Sequence, residues 1–216
     1  MAALALFFPV SPSARATVIT GHEDWDPVSS AKAWTNTYGW TTLATPGSGG
    51  KTGGWLRATF PEVDPEVGSG AGRSDIIRTS ATNLFSGEWT TNMSVKFDFW
   101  ASNKSPGGVA VERQSLTNSD VWGVAFNPPG TGRTPLGVSF GNLQGWMYDG
   151  ANEAQYLADL ASIDWIGVHI YRNTGDEQIH GIDNFMLTIP EPPECLMLVL
   201  ALMTAGMSIR RKRPVA

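Results

Sequence analysis

The chain has 216 residues, 42% hydrophobic and 16% charged, with 24 Gly, 14 Pro, 9 Trp, a single Cys and a formal net charge of -5. That length can bury a sizeable core in one domain or two small ones, while the lone Cys195 excludes a disulfide-stapled miniprotein. The acidic balance excludes the basic stripe of a nucleic-acid binder.

The charge is uneven. Between Thr17 and Glu194 ten Lys and Arg face all 20 Asp and Glu, a formal charge of -10, whereas Arg210, Arg211, Lys212 and Arg213 crowd the tail. At the start, Ala2 to Val10 is apolar, and Ala14-Arg15-Ala16 places small residues where a signal peptidase reads, predicting a mature start near Thr17. Residues 1–16 therefore read as a signal peptide that lacks its cationic first region, as a leader truncated at its start would.

From 17 to 188 the pattern favours strands. Met93 to Trp100 alternates Val95, Phe97 and Phe99 against Lys96, Asp98 and Trp100, the period of two of a half-buried strand. Val121 to Phe126, Leu136 to Phe140, Ile163 to Tyr171 and Ile179 to Ile189 read similarly, each bounded by turn-forming residues. Asn152 to Leu160 is the one helical stretch, and the Gly-rich segments Thr45 to Gly54 and Val67 to Arg73 read as loops. Short strands separated by turns predict an all-β chain, an antiparallel β-sandwich.

Three motif-like strings carry no chemistry. Gly137-Val-Ser139-Phe-Gly141 matches a nucleophile elbow, but no helix-forming run follows it. Gly49-Gly50-Lys51-Thr52 lacks the first glycine of a phosphate loop, which falls at Thr45, and Gly68 to Gly72 lacks the strand and helix of a dinucleotide site. His22, His169 and His180 show no paired metal-ligand spacing, and His169 is expected to share a polar, partly exposed face with Tyr171. Carboxylate pairing across a cleft is not legible in a sequence, so no catalytic residue is assigned and the chain reads as a non-enzyme.

The nine tryptophans all lie in the body, where indoles can fill a core or stack on sugars. Trp122 and Trp165 have apolar neighbours and are expected to be structural. Trp100 lies on the Lys96 and Asp98 face, and Trp40 and Trp146 lie in Gly- or Thr-rich surroundings; these three are expected to form an exposed glycan platform. The negative body favours a neutral glycan over an acidic one.

Leu196 to Ile209 is 14 residues without a charge, about 21 Å as a helix against the ~30 Å of a bilayer's hydrocarbon core. Being apolar all round and followed by four cations, it reads as a short C-terminal transmembrane helix with the acidic body outside. Directly before it stands Ile189-Pro190-Glu191-Pro192. This order of Pro-Glu-Pro, apolar helix and basic end resembles the PEP-CTERM sorting signal of bacterial exported proteins, over residues 189–213.

The resemblance implies that an exosortase recognises Pro190, Glu191 and Pro192. It implies too that the helix holds the precursor in the inner membrane, with the basic residues as its stop, and that the body then reaches the cell surface or extracellular matrix. Such proteins accompany exopolysaccharide and biofilm production.

Ile163 to Leu187 resembles the closing hairpin of jelly-roll modules found with this tail and in some carbohydrate-binding families. That likeness implies a structural calcium held by Asp183 with Glu23, Asp24 or Asp26, and no other cofactor; calcium would need six to eight oxygens there. The expected function is a structural or adhesive surface component linked to exopolysaccharide. A carbohydrate-binding module using exposed Trp is the alternative, and a secreted glycan hydrolase the third reading.

Overall fold

The computed structural model describes residues 17–25, 34–51, 53–63, 73–79, 84–141, 143, 145–147 and 152–190. Ile19–Ile189 is one compact unit; the two chain ends belong to another, nearly all of it outside the described residues. In chain order the described elements are β1 (Thr17–Glu23), β2 (Trp34–Asn36), β3 (Thr42–Ala44), β4 (Leu56–Phe60), β5 (Ser74–Thr79) and β6 (Ser94–Ala101). There follow β7 (Gly108–Ser115), β8 (Val121–Phe126), β9 (Gly132–Ser139), α1 (Glu153–Leu160), β10 (Ile163–Tyr171) and β11 (Gln178–Pro190).

The strands form two antiparallel sheets. One has six strands in the order β3-β4-β11-β6-β9, with β1 also pairing β11; the other has five, β2-β5-β10-β7-β8. This is the antiparallel sandwich the alternation predicts. β8 and β10 occupy the predicted residues, β11 starts one residue early, and β6 starts one late. β9 begins at Gly132 rather than Leu136, because its pairing with β6 runs unbroken from Ser94↔Ser139 to Ala101↔Gly132. Neighbouring backbone imposes the strand there despite Pro135 and Gly137.

The inward side chains of the two sheets make the core. Val95, Phe97 and Phe99 of β6 meet Val109 and Val111 of β7 and Ile166, Val168 and Ile170 of β10, all in one buried cluster. β11 keeps its inward face across an irregularity: Asn184 takes φ 48°, pairing with β6 shifts between Asp183 and Met186, and Ile182 and Phe185 are both buried. The extra residue of a bulge restores the alternation on the far side.

α1 forms where predicted. Asn152 caps it, accepting a hydrogen bond from the Gln155 amide at 2.9 Å, and the buried face carries Tyr156, Asp159 and Leu160. Asp159 accepts from the indole of Trp122 at 2.7 Å. Beside it the fully buried Arg113 lies within 5.5 Å of three rings, those of Trp122, Trp146 and Tyr156. Burial pulls the Arg113 guanidinium down to about 10, with the charges of Tyr156 and Asp159 opposing the shift.

On the outer face of the six-stranded sheet, the Trp55 ring meets Trp100 edge-on at 4.6 Å. Both rings crowd Gly181, where an added Cβ would stand 2.5 Å from Trp55 and 3.3 Å from Trp100. Gly181→Ala is therefore expected to destabilise by about 1–3 kcal/mol through overpacking; a thermal melt superimposing on wild type would refute the close fit.

Candidate functional site

Of the three tryptophans expected on an exposed platform, one is buried and a second is only partly exposed. Trp146 is 4% exposed, stacked on Phe140 at 5.3 Å, with its indole N–H donating to the Ser139 carbonyl. It belongs to the core because the inward Arg113 needs aromatic walls, a requirement its Gly-rich neighbours do not reveal. Trp100 does lie on the outer face of its sheet, but it is only partly exposed. Trp55 lies against it, held by a hydrogen bond from its indole to the Ser48 carbonyl, and the Arg133 guanidinium lies 5.7 Å from the Trp100 ring. Trp40 remains 42% exposed.

The described residues among the expected calcium ligands, Asp183, Glu23 and Asp24, do not form a metal-binding group. Among the described residues no group of three or more His, Cys, Asp or Glu could hold a metal ion. Asp183 instead accepts from the Lys51 backbone amide and pairs with Arg133 at 3.2 Å, while Glu23 accepts from the Trp25 amide. Asp26 lies outside the described residues. Asp183 faces Asp98 across β11 and β6, yet Asp98 is itself paired with Lys51 at 3.2 Å and Asn184 at 2.9 Å. Both acids thus have cations and amides where a catalytic pair would need a substrate.

Ser139 of the elbow-like string is exposed on β9, and its hydroxyl accepts from the Gly141 amide in a local turn. β11 ends on Pro190, whereas Glu191, Pro192 and the basic residues Arg210 to Arg213 lie outside the described residues. No helix among the described residues is long and apolar enough to cross a membrane; the expected span at Leu196 to Ile209 is not among them.

The sequence reading placed His169 and Tyr171 on one outward face but did not single out that outer face of the five-stranded sheet as a site. With Ile166, Val168 and Ile170 inward, β10 turns Gly167, His169 and Tyr171 outward. β7 likewise presents Gly108, Ala110, Glu112 and Gln114, and β8 presents Gly123 and Ala125. The His169 and Tyr171 rings stack at 4.1 Å, and the Tyr38 ring lies 6.3 Å from His169. Tyr38 is 54% exposed and Tyr171 38%.

His169 is more enclosed than expected. Its Nδ1 lies 2.6 Å from Oε1 of Glu112 and 3.2 Å from the Tyr171 hydroxyl, and its Nε2 is buried with no partner. Burial first, then the charges of Glu112 and Tyr38, pushes the Tyr171 phenol up, so it stays a neutral hydroxyl. Trp165 sits on this same outer face rather than in the core, but it is 4% exposed, covered by Arg78 at 5.0 Å and bonded to Gln114.

The loop carrying Tyr38 and Trp40 is clamped by Asp75, an acid with no accessible surface. Its carboxylate accepts from the amides of Tyr38 (2.8 Å), Trp40 (2.8 Å) and Thr41 (3.0 Å), from the Thr41 hydroxyl (2.9 Å) and from the Asn36 side chain (3.3 Å). Gly39 turns the loop with φ 72°, a conformation that only glycine adopts without cost.

The result is a pair of exposed tyrosine rings beside the enclosed His169 and its Glu112 partner, with the exposed Ala125 of β8 on the same sheet face. The opposite sheet also has a cavity, of about 560 Å³ between β6, β9 and Met186, but no exposed ring lines it.

The fold defines the chain as a two-sheet antiparallel β-sandwich, the fold it shares with solved carbohydrate-binding modules. The module CtCBM11 is 16% identical, with 85% of this chain and all of that one covered at a TM-score of 0.53. The CBM22-1 xylan-binding domain of Xyn10C from Paenibacillus barcinonensis is 13% identical, with 84% of this chain and all of that one covered at 0.51. An exo-beta-agarase matches over 82% of this chain but only 25% of its own length, at 13% identity and 0.55. Likeness at such low identity establishes the fold. No family model and no curated protein matches the chain.

Proposed function

We propose that this protein is a non-catalytic carbohydrate-binding β-sandwich that contacts a polysaccharide through the outer face of its five-stranded sheet. The observation that carries the reading is the pair of exposed rings Tyr38 and Tyr171 on one sheet face, packed beside the enclosed His169 and its partner Glu112. Ring faces pack on the apolar face of a sugar, while the phenols of Tyr38 and Tyr171 and the partly exposed Glu112 carboxylate offer hydrogen bonds to its hydroxyls. The named activities of the fold neighbours, carbohydrate and xylan binding, support this reading.

Truncating Tyr171 removes an exposed ring and a hydroxyl from one end of the row. On a glycan array, Tyr171→Ala is expected to lose about tenfold or more in affinity, on the scale of one aromatic contact plus one hydrogen bond. Wild-type protein that captures no glycan, or a variant that binds as well, overturns the proposal.

The sequence supports a delivery route for this module. In our reading Pro190, Glu191 and Pro192 are recognised by an exosortase, Leu196 to Ile209 holds the precursor in the inner membrane, and the body reaches the surface, where polysaccharide binding serves an adhesive role. Expression with and without an exosortase is expected to change C-terminal cleavage. An identical product in both hosts refutes the route and leaves the glycan face untouched.

A further inference from the structure

At one end of the ring row lies a second cavity, of about 320 Å³, lined by Gly39, Trp40, Pro61, Glu62, Val63, Arg73 and Arg172. The Arg73 guanidinium lies over the Trp40 ring, its central carbon 4.2 Å from the ring centre. Arg172 is buried at the same cavity, with Nε and Nη2 committed to the carbonyls of Thr174, Gly175 and Asp176. Burial first and the charge of Arg73 second pull the Arg172 guanidinium below its ordinary value, so the two cations feel one another. Glu62, exposed at the rim, is the only acid among the lining residues.

Two guanidiniums lining one cavity repel, and in a body of formal charge -10 the cations are not in surplus. Such a pair becomes favourable when an anion sits between them. A guanidinium held over an indole offers its donors in a planar fork, the geometry that suits a carboxylate or sulfate. We propose that this cavity recognises a carboxylate or sulfate group, through Arg73 supported by Arg172, with Trp40 beneath. The anion site stands on the cavity's own geometry; that a glycan carries the anion rests on the function proposed above. The ligand would then be an acidic polysaccharide whose sugar rings lie along Tyr38, His169 and Tyr171 and whose charged substituent enters here. This reverses the neutral-glycan expectation drawn from net charge, because a local pair of cations decides contact where the overall field decides only approach.

The test uses the full chain and three probes: inorganic sulfate, a β-1,4-linked tetraglucuronate, and the cellotetraose that carboxyl reduction of the same backbone gives. Sulfate is expected to produce saturable NMR shifts at the Trp40 indole N–H and the Arg73 side-chain N–H. These shifts should vanish in Arg73→Gln, tighten in Glu62→Gln and persist in Tyr171→Ala. Tetraglucuronate is expected to bind about tenfold more tightly than cellotetraose, a preference that Arg73→Gln removes. Sulfate shifts that rise without saturation, or that survive Arg73→Gln, overturn the site. Saturable sulfate binding with equal affinity for both tetrasaccharides identifies an adventitious ion only and overturns the acidic ligand. If sulfate saturates at Arg73 and neither tetrasaccharide binds, the anion site holds and the glycan reading fails.

Discussion

Asp75→Ala lowers the melting temperature of the body by roughly 6–12 °C and costs about 3 kcal/mol, the largest loss expected of any single side chain that holds the ring-bearing loop. The carboxylate has no accessible surface and satisfies five donors, three of them backbone amides of the loop from Tyr38 to Thr41. Removing it leaves those donors to water that the site admits poorly, and an unmade hydrogen bond at a buried group costs more than a made one gains. Asp75→Asn keeps the shape but can accept through one oxygen only, so it should fall between the two. Because Tyr38 and Trp40 ride on the clamped loop, glycan affinity is expected to fall with stability. Calorimetric melts of the three proteins decide the matter, and an Asp75→Ala melt within a degree or two of wild type would show the clamp to be dispensable.

The second large effect is acid sensitivity centred on His180. This imidazole has no accessible surface, stacks on Phe99 at 5.6 Å and meets Phe60 edge-on at 6.0 Å; its Nδ1 has no partner. Burial, reinforced by the charge of Arg172, pulls it down from 6.5 to about 4. The unfolded chain therefore takes up a proton near pH 6.5 that the folded chain refuses until about pH 4. Stability is complete above pH 6.5, falls as the pH drops across that window, and is lower by about 3 kcal/mol once both forms are protonated. Urea unfolding from pH 7 to pH 4 should show wild type losing about that much more than His180→Leu, which carries no proton. Parallel profiles for the two proteins would sink this assignment.

Neither effect was legible beforehand. Asp75 sits in a strand the alternation did not reveal, and its five donors come from a segment more than thirty residues earlier. His180 was visible only as a histidine without a paired ligand; its place between two phenylalanines follows from the pairing of β11 with β4 and β6. The same holds for the tryptophans. Local composition put Trp146 on the surface, whereas Arg113, drawn inward by the alternation of β7, turned that ring into the wall of a buried cage.

The rings that do reach solvent are largely tyrosines. Their signal in the sequence was the outward pair His169 and Tyr171 on β10, one residue apart from the apolar series Val168 and Ile170. That pair gains meaning only when Glu112 arrives from β7 and Tyr38 from the loop before β3.

By itself the sequence settled the all-β class, the strands β8 and β10 and the helix α1, because period-two alternation, turn residues and an Asn cap act within a few residues of one another. Which rings are buried, which acids are neutralised and which two arginines share a cavity was decided by the tertiary structure alone. Those properties depend on what stands across a sheet or on the other end of a loop, at separations of 35 residues for Asp75 and Trp40 and 132 for Asp183 and Lys51. Burial and charge pairing are set by distance in space, and a short-range pattern in the chain carries no record of it.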